Sequence, residues 1–240
     1  MNWIKPDWPV ASNIHAVVTL RSGGVSQGVF DSLNLGLHVN DEPENVYKNR
    51  RIISRMLDLP SEPTWMEQIH GIDVIKADQS KQIEKADASY TDQKNTVCAV
   101  LTADCLSILL ATTDGRKIAA IHAGWRGLLS GVVANTVNTM GTINLVAWLG
   151  PAIGAECFEV GQEVKDSFIK KSEKFTQVFT KINKKKYLVD IYKLAKIELA
   201  SVGIKQVYGG GFCTVTDKER FYSYRRDGET GRMATLIWRD

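Results

Sequence analysis

The feature that most constrains this chain is the stretch from 97 to 123, VCAVLTADCLSILLATTDGRKIAAIHA, apolar throughout except where TADC and TTDGRK interrupt it. Short runs rich in apolar and β-branched residues, bounded by turn formers, read as strands, here over 97–102, 106–112 and 118–122. They place a sheet at the centre of the fold. The longest run, 97–112, contains Asp104 and falls short of a membrane span. Further strands are predicted over 14–21, 64–69, 74–77, 144–149 and 233–238. Helices are predicted over 44–57, 128–140, 160–171 and 189–202, the first stopped before Pro60. Strands and helices alternate too irregularly for a doubly wound parallel sheet, so the expected class is α+β, with mixed sheets and helices packed outside.

A chain of 240 residues buries about 70 per cent of the surface that its unfolded form exposes, enough to fold without disulfides or metal. A metal site in it would therefore serve chemistry. With no linker, repeat or low-complexity tract, residues 1–240 read as one catalytic domain. The balance of 30 basic and 27 acidic residues, a formal +3, implies neither a nucleic-acid nor a membrane partner. The opening MNWIKPDWPV carries charge and proline where a signal peptide needs an apolar run, so the expected location is cytoplasmic. Cys98, Cys105, Cys157 and Cys213 show no CxxC spacing and read as free thiols. The basic run KINKKK at 181–186 reads as a solvated turn.

Of four histidines, His15, His38, His70 and His122, two have unusual surroundings. His70 precedes a glycine in WMEQIHG, and His122 ends an apolar strand in IAAIHAGWRG. Cys105 sits in LTADCLSILL, between two strands. All three lie where strands meet loops, which is where sites are usually built. Two His and one Cys would give zinc three ligands and leave a fourth position open, as catalytic zinc requires. Their spacing matches no short metal signature, so satisfied core His and Cys remain the alternative. His15 and His38 read as structural, and Cys98 as core packing. Arginines next to glycines, Arg21 before SGG, Arg126 in GWRG and Arg225 in FYSYRRDGETGR, suit an anionic or phosphate-bearing ligand. Trp125, Phe221, Tyr222 and Tyr224 offer a stacking wall for a planar ring, although FYSY also reads as a half-buried strand.

Taken in order, TLRSGGVS at 19–26, SLNLGLHVND at 32–41, QIHG at 68–71, TADC at 102–105, HAGWRG at 122–127, LGPAIG at 149–154, EVGQEV at 159–164 and FYSYRRDGETGR at 221–232 resemble the bacterial YfiH family, which includes the laccase-domain proteins of animals. The resemblance covers essentially the whole chain. It implies a four-layer α/β/β/α sandwich like that of cytotoxic-necrotising-factor-like cysteine hydrolases, and zinc held by His70, Cys105 and His122. It also implies phosphorolysis of purine nucleosides (adenosine, inosine, guanosine, methylthioadenosine) with accompanying adenosine deaminase activity. Names such as polyphenol oxidase and peptidoglycan editing factor are attached to the same family.

On this reading the substrates are a purine nucleoside and phosphate. Arg21, Arg126 and Arg225 are expected to hold phosphate, Asn34 and Gln68 to contact sugar or base, and Asp104 to act as an acid or as a partner of Cys105. Catalysis falls to His70, Cys105 and His122 with Asp104. Two rivals stay open: a Cys–His hydrolase or amidase acting on peptidoglycan precursors, with Cys105 as nucleophile and His122 as base, and a metal-stabilised binding protein without turnover. A copper-dependent polyphenol oxidase is disfavoured, because a multicopper site needs many histidines in HxH arrangements and this chain has four, none so arranged.

Overall fold

A computed structural model describes residues 3–77 and 83–240. In chain order the strands are β1 (Trp3–Ile4), β2 (Ile14–Thr19), β3 (Val74–Lys76), β4 (Ala88–Thr91), β5 (Cys98–Thr102), β6 (Leu106–Thr112), β7 (Ile118–Ala123), β8 (Leu145–Leu149), β9 (Glu159–Gly161), β10 (Phe179–Lys181), β11 (Lys186–Val189), β12 (Gln206–Gly209) and β13 (Met233–Arg239). The α-helices are α1 (Pro43–Met56), α2 (Trp125–Ser130), α3 (Val132–Met140), α4 (Gln162–Lys171), α5 (Ile191–Ser201) and α6 (Tyr224–Asp227). A mixed sheet runs β12-β8-β6-β7-β4-β3, and an antiparallel one runs β1-β2-β13-β5. The small sheet β10-β11-β9 lies apart, and the KINKKK run turns between β10 and β11, exposed as expected.

The central apolar stretch is continuous because both of its faces are covered. Side chains alternate along a strand, so in β6 Leu109 and Ala111 meet Val18, Cys98, Val100 and Ile237 between the two sheets. Ile108 and Leu110 meet Val133, Val137, Leu194 and Leu199 beneath α3 and α5. In β5, Cys98 and Val100 face the other sheet, whereas Ala99 and Leu101 pack with Leu33, Leu35 and Ile53 under α1. The order α1, sheet, sheet, helices is the four-layer α+β sandwich expected from the sequence.

Local departures have local causes. The helix predicted over 128–140 is two helices, because Gly131 adopts a φ of 99°, left-handed backbone that glycine takes without strain. The strand predicted over 64–69 makes only isolated bridges, Thr64 with Cys98 and Glu67 with Lys85. FYSY is no strand either: Phe221 and Tyr222 are buried in a loop, and Ser223 caps α6 by accepting the Arg226 amide at 3.2 Å. Among the described residues no helix is long and apolar enough to cross a membrane.

Candidate active site

Three loops converge at one end of the six-stranded sheet. β6 and β7 pair so that Leu106 stands opposite Ala123 and Ser107 opposite His122, which brings Cys105, just before β6, level with Gly124, just after β7. Asp104 turns the chain into β6 with a φ of 91°. A Cβ on Gly124 would lie 3.0 Å from Cys105 Sγ and 3.0 Å from His70 Cδ2, so only glycine leaves room for both side chains. The ligating atoms of His70, Cys105 and His122 all lie within 4.8 Å of one another, with Cys105 Sγ 3.7 Å from His70 Nε2. The three residues singled out by sequence therefore form one cluster able to hold a metal ion. Among the described residues it is the single such group.

What holds the cluster is Asp87, a residue the sequence reading missed. It is fully buried just before β4, and its carboxylate accepts the backbone amides of Ile69, His70 and Gly71 at 3.2, 2.9 and 2.6 Å. His70 meets this carboxylate with a φ of 59°. Asp87 Oδ1 also lies 2.7 Å from His122 Nδ1. An ionised carboxylate only accepts, so Nδ1 is the donor and Nε2 is turned to the cluster. Burial alone would push the Asp87 carboxyl up, but the His122 contact and the amides of Gly71 and Ile69 hold it below the ordinary range. Burial likewise opposes charge on Cys105 and His122. Their mutual attraction, with His70 on one side and Asp87 on the other, outweighs it, lowering the thiol and raising the imidazole. The only sequence signal for Asp87 is an acid at the head of a strand of small residues, ADASY.

Over the cluster lies a cavity of about 460 Å³, a size that suits a small ligand. Arg126, Arg225 and Arg232 line it with Trp125, Phe158 and Tyr224. Arg126 is exposed and its guanidinium lies 4.3 Å from the Trp125 ring centroid. Arg225 lies over Phe158, donates through Nη1 to the Glu159 carbonyl at 3.0 Å, and sends its backbone amide to Asp104 Oδ2 at 2.6 Å. The other Asp104 oxygen accepts from Thr214 Oγ1 at 2.5 Å. Gln68 lines the cavity, but its amide both donates to and accepts from Leu101 backbone, at 2.8 and 2.7 Å.

Two foreseen contacts lie elsewhere. Arg21 is not part of the cavity wall: its guanidinium is held by the carbonyls of Asp31 and Lys218 and stacks on Tyr222. Asn34 is fully buried, donating to Asp41 and Gly36 and accepting the amides of Gly36 and Arg232. Conversely, His38, read as structural, and Arg232, not singled out, both line the cavity. Desolvation by the wall, then the charge of Arg232, lowers the His38 pKa.

Residues 15–240 match the family model described as multi-copper polyphenol oxidoreductase laccase. The chain is 47% identical over 239 residues to a Pseudomonas aeruginosa protein named purine nucleoside phosphorylase, with 98% of each chain covered. It is 48% identical over 238 residues to an Escherichia coli protein named purine nucleoside phosphorylase YfiH, again covering 98% of each. The crystal structure of a Neisseria meningitidis protein matches with a TM-score of 0.96 at 46% identity, covering 100% of both chains.

Proposed function

The chain belongs to the YfiH family of laccase-domain proteins, and from that membership we propose that it is a zinc-dependent purine nucleoside phosphorylase with accompanying adenosine deaminase activity. The observation that carries this reading is the His70–Cys105–His122 cluster at the base of a cavity walled by three arginines and three aromatic rings. The donor set supports zinc. Sulfur and nitrogen ligands on a tetrahedral zinc, at about 2.3 and 2.0–2.1 Å from the ion, stand about 3.6 Å apart, and Cys105 Sγ and His70 Nε2 are separated by 3.7 Å. Bound there, zinc supplies Lewis acidity and a fixed positive charge beside the substrate. Two histidines and one cysteine do not make a multicopper centre, whatever the family description says.

In this reading Arg126, Arg225 and Arg232 hold phosphate, and Trp125, Phe158 and Tyr224 flank the planar purine. A phosphate oxygen forms its bond to the anomeric carbon as the glycosidic bond breaks, and the electron pair leaves with the base. Asp87 keeps the Nδ1 proton on His122 and fixes the ring. Asp104 is a positioning residue, since both its oxygens hold Thr214 and Arg225. Arg21 and Asn34 support the surrounding loops, and Gln68 braces the His70 loop against β5. The whole chain acts as one cytoplasmic domain.

Metal analysis together with chromatography of adenosine, with and without phosphate, tests the proposal. Stoichiometric zinc with phosphate-dependent adenine release, both lost in His122→Ala, is expected. Adenine release that does not depend on phosphate, or full phosphorolysis by a metal-free Cys105→Ala variant, refutes it. A second reading, a Cys–His hydrolase, is favoured by one observation: Cys105, His122 and Asp87 are ordered as nucleophile, base and orienting carboxylate. It predicts a covalent acyl intermediate on Cys105 after zinc is chelated.

A further inference from the structure

Phosphorolysis of a nucleoside moves a proton. Hydrogen phosphate and the nucleoside give a sugar 1-phosphate and the free base, so the hydrogen lost by the anion must reach the purine. Few side chains of the cavity can carry it. Both oxygens of Asp104 are engaged, by Thr214 and by the Arg225 amide, and the Gln68 amide is spent on Leu101. His70, Cys105 and His122 form the metal cluster, with His122 Nδ1 tied to Asp87. Arginines keep their protons. Among the described residues that line the cavity, His38 is the remaining imidazole and Tyr224 the remaining phenol, and Tyr224 is 62% exposed.

The fold fastens the His38 loop on both sides to the segment 229–232. The Leu35 amide donates to the Arg232 carbonyl at 3.2 Å, the Arg232 amide to Asn34 Oδ1 at 2.9 Å, and Asn40 Nδ2 to Glu229 Oε1 at 2.5 Å. Between these ties, a Cβ on Gly36 would lie 2.8 Å from Arg232 Cγ and 3.3 Å from His38 Cε1. The imidazole and one of the arginines assigned to phosphate thus rest against the same bare backbone. Arg232 Nη1 is held by the carbonyls of Thr230 and Gly231 at 2.8 and 3.0 Å, neutral groups that leave its charge in place. Burial and that charge keep the imidazole neutral. A neutral imidazole has one N–H and one bare nitrogen, the two groups that a proton relay needs. The His38 ring is open to solvent, and among the described residues it makes no hydrogen bond within the protein.

We propose that His38 carries the proton from hydrogen phosphate to the departing purine, an inference that rests on the phosphorylase reading of the site. A phosphate oxygen bonds to the anomeric carbon, the C–N bond breaks and its electron pair leaves with the purine. In the same step one ring nitrogen of His38 gives its proton to a purine nitrogen, and the other takes the proton of the phosphate hydroxyl. The imidazole starts and ends neutral, as its two tautomers, and exchange with water resets it between turnovers. Such a relay never places a second positive charge beside Arg232.

The test follows phosphate-dependent base release by the metal-loaded full chain and by its His38→Ala and His38→Gln variants, with melting temperature and metal content measured alongside. With inosine, kcat should fall about 10²–10⁴-fold in both variants, the range that proton transfer by a positioned side chain supplies. Added imidazole should restore a large part of it in His38→Ala, relative to wild type in the same imidazole. With 7-methylinosine, whose ring is already cationic so that its base departs without a proton, the loss should stay below about tenfold. Unchanged inosine turnover in a folded, metal-loaded variant overturns the relay. So does an equal loss on both nucleosides, a loss that imidazole does not relieve, or the same leaving-group dependence in Tyr224→Phe instead. A wild type without phosphate-dependent base release overturns the phosphorylase reading and the relay with it, whereas the other outcomes overturn the relay alone.

Discussion

The space between the two sheets and the cavity at the end of those sheets are built from the same strands and handle polarity in opposite ways. In the inter-sheet layer the polar groups are neutral, as in the Thr235 Oγ1–Ser107 Oγ pair at 2.9 Å. Burial pushes the Cys98 thiol there up to about 12. At the strand ends Cys105 moves the other way, because His122 and His70 stand beside it and loop amides are free to hold the Asp87 carboxylate that keeps His122 charged. Burial alone silences a thiol. Burial beside a matched charge activates it, and unpaired backbone amides are found where strands end, not within their ladders.

The largest effect expected from breaking this contrast is in the layer itself. Leu109→Ala removes a fully buried side chain and should cost about 2–5 kcal/mol of stability in denaturant unfolding. Zinc stoichiometry of the folded fraction should stay unchanged. Asp87→Asn should do the reverse, weakening zinc binding by roughly 10–100-fold in chelator competition, as loss of a ligand's supporting carboxylate does. If that variant keeps full affinity, Asp87 is not what orients His122. Arg126→Ala, at the exposed rim, should raise the KM for phosphate about tenfold, a loss of about 1.4 kcal/mol, with Tm unmoved. A larger change in nucleoside KM than in phosphate KM would reassign Arg126 to the sugar or base.

The smallest effect reads the contrast through pH. Cys98 titrates at 9.0 when unfolded and at about 12 when folded, so the unfolded chain loses its proton first. The stability this group contributes is complete below pH 9 and is lost as pH rises towards 12. At pH 10 the loss amounts to about 1.4 kcal/mol. Thermal melts of wild type and Cys98→Ala should therefore converge between pH 8 and pH 10, and parallel curves would show that Cys98 does not carry the shift.

Much of the scaffold is legible in the chain. The apolar runs of β5, β6 and β7 report strands covered on both faces, and the helix expected over 189–202 forms as α5 at Ile191–Ser201. The trio able to hold a metal stood out because each member sits at a strand end beside a glycine or a turn. The arginines of the cavity wall were only partly legible. Arg126 and Arg225 reach the cavity, whereas Arg21, in equally glycine-rich company, is captured by the carbonyls of Asp31 and Lys218. Neighbouring residue types show what a loop permits, not which carbonyl is nearest. His38 and Arg232 escaped for the same reason: each lies on a loop of its own, and the wall they share forms only when the loops pack.

By itself the sequence determined the class of fold, the strands at its centre and the identity of the three candidate ligands, because hydrophobic periodicity and turn chemistry act over a few residues. Only the tertiary structure decided that Asp87 should hold His122 and the His70 loop at once, and that Gln68, although it lines the cavity, should spend its amide on the Leu101 backbone. Each of these depends on which strands pair and in what register, and a register is set by the sum of packing over whole sheets, which no short window of residues contains.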